Sequence, residues 1–169
     1  MKKIIIAMVM TVAFAVSVQA AEMKIGYVDM NKALNESEKG KKAVGLLEEM
    51  VKSRQTEINK KGDELKALDE EIAKQSSILN PDAIKDKREQ RETLMRDYQR
   101  MIKDSQSEVQ KKQSDFMESI INELREVVAQ MGKDEGFTVI FEKAQSGILF
   151  IVPETDITDK LIKKFNSMK

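Results

Sequence analysis

The chain has 169 residues, 29 basic and 29 acidic side chains, and neither His nor Cys. The missing residue types exclude disulfides and remove the commonest general base, the usual nucleophile–base pairs and most zinc sites. The balanced charge gives no general attraction to nucleic acid or to an anionic surface.

Residues 1–20 read as an export signal. Met1-Lys2-Lys3 is a short positive start, Ile4 to Val16 is an apolar run, and Ser17-Val18-Gln19-Ala20 puts small residues where a signal peptidase reads. Cleavage is expected after Ala20. The competing reading, an uncleaved anchor, would need this run of about 13 residues to cross a bilayer that takes about 20. No Cys stands at the cleavage site, so a lipid anchor there is excluded. Beyond Ala20 the loss of Lys2 and Lys3 leaves 27 basic against 29 acidic groups, a net charge of −2. An exported chain without disulfides has to be stabilised by packing or by assembly.

The next segment, Lys24-Ile25-Gly26-Tyr27-Val28-Asp29, predicts one short strand, and Met30 to Asn35 a turn or brief helix. Ser37 is a candidate helix cap. From there to Leu79 no Pro occurs, and Val44, Val51, Ile58, Leu65, Ile72 and Leu79 recur every seven residues. That repeat predicts a coiled-coil seam. The paired heptad class is Leu47, Arg54, Lys61, Leu68 and Gln75, so the seam is thin and partly wet.

Asn80-Pro81-Asp82 breaks the pattern. Pro disfavours helix in the residue before it and suits the first turn of the next, which predicts a helix–turn–helix tip. The second helix should run from about Asp82 to Asp134, with Met95, Ile102, Val109 and Phe116 seven apart and Ile84 and Tyr98 on the paired class. Past Phe116 the apolar density rises through Ile120, Ile121, Leu124, Val127, Val128 and Met131, as expected of a helix entering a core.

Gly132 and Gly136 mark the helix end. Phe137 to Phe141 and Ile148 to Val152, separated by a Lys143–Gly147 turn, predict a hairpin whose second strand looks buried on both faces. Pro153 stops it, and Thr155 or Asp156 caps a last helix over Ile157 to Asn166. The predicted fold class is therefore α+β, mostly α: a long antiparallel helical-hairpin arm (37–131, tip near 80–82) on a small β-rich head (21–36 plus 132–169). A head of about 55 residues without staples rarely folds alone, which points to oligomerisation through it. The residues expected to carry that contact are Ile25, Tyr27, Val28, Val139, Phe141, Ile148, Phe150 and Val152.

On the arm, Met50, Ile78, Leu94 and Met101 widen the apolar stripe beyond what one partner helix needs. With Tyr98 they are the candidate surface for gripping another protein, Met being soft enough to adapt to varied partners. No catalytic residue, cofactor or metal is expected.

Taken in order, the export signal, the Lys24–Met30 strand, the heptad hairpin, Gly136-Phe137-Thr138-Val139-Ile140-Phe141 and Asp156-Ile157-Thr158-Asp159-Lys160-Leu161-Ile162 resemble the Skp/OmpH family of periplasmic chaperones. The resemblance covers the whole chain after the signal. It implies a periplasmic homotrimer whose arms enclose unfolded outer-membrane β-barrel proteins, holding them without ATP until insertion. The slightly acidic charge departs from the strongly basic best-known members. That argues against arm binding to lipopolysaccharide or anionic lipid, although Lys85, Lys87, Arg88, Arg91, Arg96 and Arg100 near the tip keep such contact open. The alternative to a chaperone is an adaptor coiled coil of the cell envelope with one folded partner. Arg54, Lys61, Arg91, Ser105 and Lys112 within the seam argue against it.

Overall fold

The computed structural model describes residues 23–168, so the export-signal expectation over residues 1–20 lies outside it. The elements run β1 (Ile25–Val28), α1 (Met30–Glu36), α2 (Glu38–Gln75), α3 (Pro81–Glu135), β2 (Val139–Glu142), a 3-10 turn (Pro153–Thr155) and α4 (Thr158–Ser167).

Local capping chemistry sets the helix ends. Asp29 accepts from the Lys32 amide at the start of α1, Ser37 from the Gly40 amide at the start of α2, and Asn80 from the Ala83 amide at the start of α3. Pro81 occupies the first turn of α3, and Gly136 closes that helix in the left-handed conformation at φ 69°. At about 1.5 Å per residue, the 38 residues of α2 span roughly 57 Å and the 55 of α3 roughly 80 Å. The second helix outlasts the first because its C-terminal part continues into the head. The tip turn takes in more residues than the sequence predicts, since α2 stops at Gln75 and not at Leu79.

The head core is built from β1, α1, the C-terminal part of α3 and α4. Val28, Met30, Ala33, Ile120, Leu124, Val127, Met131, Leu161 and Phe165 form one buried cluster. The rise in apolar density after Phe116 is thus the α3 contribution to this core.

Two features differ from the predicted head. First, β2 pairs with β1, and the pair is parallel: Ile25 opposes Val139, and Val28 opposes Glu142. The connection between them is the whole arm. Secondly, Ile148–Val152 is not a strand, and in the single chain it is not buried. Leu149 is fully exposed and Phe150 is 82% exposed. A run that is apolar at every position needs cover on both faces, and one copy of this small head covers it only in part, beside Tyr27. Instead the chain returns to the far side of β1, where the Ile157 amide donates to the Tyr27 carbonyl at 3.0 Å and Asp156 bridges to Tyr27. The last helix begins at Thr158, whose amide is held by the Asp156 carboxylate at 2.8 Å.

Candidate interaction surfaces

The arm helices meet in a short dry stretch. Leu65 and Leu68 are buried there, and Tyr98 packs over Gly62, at whose position a Cβ would lie 3.5 Å from its ring. Either side of this stretch, ion pairs connect the helices. Lys87 reaches Glu71 at 2.8 Å, Arg91 is bound to Asp69, and Arg54 reaches Glu108 at 2.7 Å. Nearest the head, Lys39 is bound to Glu123. Hydrogen bonding from Arg91 holds the Asp69 carboxyl below the usual range, and Lys87 does the same for Glu71. Arg54 and Arg91, which make the heptad seam partly wet, therefore have specific acidic partners across the arm.

Between the Lys39–Glu123 and Arg54–Glu108 pairs the apolar seam opens. Val44 and Val51 belong to the heptad class, yet each is about half exposed, as is Leu46. Val44, Leu47 and Val51 line a cleft with Val109 and Gln113 of the other helix. The cause is the partner sequence: Lys111-Lys112-Gln113-Ser114-Asp115 offers no apolar side chain to close the gap. Comparing both helices at these positions would have located the cleft, whereas the repeat of one helix conceals it.

Of the residues singled out on the arm, Ile78 lies at the tip and is 82% exposed. Met50, Leu94, Tyr98 and Met101 are half-buried beside the seam. They lie along the length of the arm and do not converge on one pocket. Leu94 borders a shallow groove with Ala67 and Leu68, and Met101 one with Arg54 and Ser105.

In the head, side chains alternate across β1 and β2. Val28 points to the helices and is 2% exposed, so in the single chain it is a core residue and not part of the outer sheet face. Ile25, Tyr27, Val139 and Phe141 share the opposite face by register and are only partly covered. Tyr27 lies against Ile148, Leu149, Phe150 and Ile151 on that side. Burial and the hydrogen bond to Asp156 push the Tyr27 phenol up. Asp29, at the end of β1, is held low chiefly by the Lys32 amide and further by Lys143 at 3.3 Å.

The order of these parts, a small sheet whose strands are separated by a helical-hairpin arm, matches a family model. The model for outer membrane proteins of the OmpH-like kind covers residues 24–165. The chain belongs to the OmpH-like family. An OmpH-like fold is also what the structure shares with a crystal structure described as an outer membrane chaperone (OmpH-like) from Caulobacter crescentus CB15. The TM-score is 0.81 over 88% of this chain and 87% of that one, at 16% sequence identity. Identity at that level carries the fold alone. No curated protein matches the chain. Among the described residues of this OmpH-like chain, no helix is long and apolar enough to cross a membrane.

Proposed function

We propose that this protein is an ATP-independent holding chaperone of the periplasm, exported by cleavage after Ala20, that binds unfolded outer-membrane β-barrel proteins and keeps them from aggregating. Supporting this are its membership of the OmpH-like family and its structural likeness to a protein described as an outer membrane chaperone. The observation that carries the reading is the arm itself: a long hairpin whose apolar stripe is incompletely covered by its own partner helix. Exposed Val44, Leu46, Val51 and Ile78, with half-buried Met50, Leu94, Tyr98 and Met101, offer many separated apolar contacts and no single deep site. Such a surface suits a chain held by numerous weak, exchangeable contacts, and no catalytic step is needed.

In this reading residues 37–131 are the gripping arm, and 21–36 with 132–169 are the head that joins the copies, as a trimer. The partly covered sheet face and the bare Ile148–Val152 segment are apolar area that assembly would remove from water, at about 25 cal/mol per Å². No nucleotide or metal takes part.

The test is light scattering of a urea-unfolded outer-membrane β-barrel on dilution, with and without the chain from Ala21 and with no nucleotide present. Suppressed scattering is expected. Replacing Val44, Val51, Ile78 and Met101 singly by Ser should weaken suppression by small factors, and replacing them together should largely abolish it. An unchanged client aggregation curve with intact protein would sink the proposal.

A further inference from the structure

The sequence has no Cys, His or Trp, but it has 11 Met, three of which precede Ala20. In such a chain the thioether is the side chain most readily attacked by a peroxide, because no thiol, imidazole or indole competes for it. The fold sorts the other Met by access. Met30 and Met131 belong to the head core, at 8% and 0% exposed. Met95 takes a seam position of the arm and is half-buried. Met23 and Met168 are exposed near the two ends of the described chain.

The remaining three are on the arm. Met117 is 46% exposed, and Met50 and Met101 are half-buried. Tyr98 packs over Gly62, and Val51 shares a cleft with Val109, so all three lie between the dry Leu65–Leu68 stretch and the head. That is the part of the arm where the apolar seam opens. Met101 borders the groove beside Arg54 and Ser105, and Met117 borders Leu34 and Ile121 at the arm root. A small oxidant therefore reaches sulfur on the arm surface, while the sulfur that packs the head is shielded.

We propose that Met50, Met101 and Met117 are oxidation sites, and that their conversion to sulfoxide weakens client holding while the fold stays intact. The reactant is a two-electron oxygen donor of the peroxide class. The sulfur lone pair attacks one peroxide oxygen, the O–O bond breaks and an S–O bond forms. The second oxygen leaves as water after proton transfer. Sulfur loses two electrons and the peroxide gains them, so no further co-reactant is needed. A flexible apolar side chain thereby becomes polar and chiral. The new oxygen is hydrated on the bare arm, and an apolar client segment pressed onto it would strip that water without replacing the hydrogen bonds. The inference rests on the chaperone reading above and adds a means of regulating it.

The chain from Ala21 is treated with hydrogen peroxide, freed of it, and mapped by peptide mass spectrometry. Met23 and Met168 report that the reagent acted. Met50, Met101 and Met117 should be oxidised over the same interval, and Met30 and Met131 should not. The oxidised chain should need about ten times the concentration to halve aggregation of a urea-unfolded outer-membrane β-barrel, a factor corresponding to about 1.4 kcal/mol. Its helical melting should be unchanged. Methionine sulfoxide reductases acting on both epimers should restore the untreated value. Bound client should slow oxidation of Met50 and Met101 but not of Met168. The triple variant Met50→Leu, Met101→Leu, Met117→Leu is compared only with itself before and after peroxide, and its holding should not change. Should it fail to fold, the three single Leu variants are measured, each expected to keep more of its own holding through peroxide than the wild type keeps.

Full holding after all three are oxidised overturns the inference. So does an equal loss in the Leu variants, or a loss accompanied by lower melting, which would place the effect in the seam at Met95. An untreated chain that fails to hold the client overturns the chaperone reading as well, whereas holding that survives oxidation overturns this inference alone.

Discussion

Gly40, in the first turn of α2, lies so close to Leu34 that a Cβ at position 40 would stand 1.7 Å from the Leu34 carbonyl oxygen. The neighbour is backbone, so it cannot swing aside. This contact sets the sharp bend between α1 and α2 and thereby the direction in which the arm leaves the head. Gly40→Ala should destabilise the head by about 3 kcal/mol, the upper end of overpacking costs. Gly45, one turn further on, has nothing within 4 Å. There Ala should stabilise, by about 0.5–1 kcal/mol, through helix propensity. Urea denaturation followed by circular dichroism compares the two; equal effects would contradict the packing described.

Leu124 is fully buried at the centre of the head cluster, while Leu65 and Leu68 make the dry stretch of the arm. Leu124→Ala should cost about 2–5 kcal/mol. Leu68→Ala should cost less, because only one helix faces it and water can enter the gap. Urea midpoints of the two variants check this ranking.

Acid should loosen the head through Asp29 and Asp156. The Lys32 amide and Lys143 lower the Asp29 pKa. Burial pushes Asp156 upward, but its bonds to Thr158 outweigh that, and its pKa is lowered too. A carboxyl whose folded pKa is depressed contributes stability that is present above its unfolded value, near 3.9, and is lost as pH falls through the folded value. Stability should therefore fall as pH drops below about 4. Asp29→Asn keeps an acceptor for the Lys32 amide but not the charge, so it should lower stability at pH 7 and flatten the acid limb. Urea midpoints at neutral and acid pH measure both effects.

Salt should act on the arm more than on the head. The Arg54–Glu108, Lys87–Glu71 and Arg91–Asp69 pairs are partly exposed, and the Debye length falls from about 10 Å at 0.1 M to about 3 Å at 1 M. The arm should melt lower at 1 M sodium chloride, by less than Leu68→Ala lowers it. Asp69→Asn should remove part of that salt dependence. A spin-label pair across α2 and α3 reports the separation; a salt-independent distance and melting curve would discount the ion pairs.

Local signals were legible in the sequence and they held. Ser37, Asn80-Pro81 and Gly136 act on amides within a few residues, so they place helix ends wherever the helices later pack. The apolar run from Ile120 to Met131 likewise marked the part of α3 that enters the core. The thin seam was readable too, but its open cleft was not, because it depends on which residues of α3 lie opposite Val44 and Val51.

What the sequence determined by itself was an α-rich chain with one long helical hairpin, since heptads and caps are properties of neighbouring residues. Only the tertiary structure decided what the apolar strands do. Val139 joins a partner 114 positions away, in parallel. Val28 turns inward while Tyr27 faces out, and Ile148–Val152 is left bare. A strand carries unpaired backbone groups and two faces, and which of them find a partner depends on segments that come together only when the arm has brought the two ends of the head side by side.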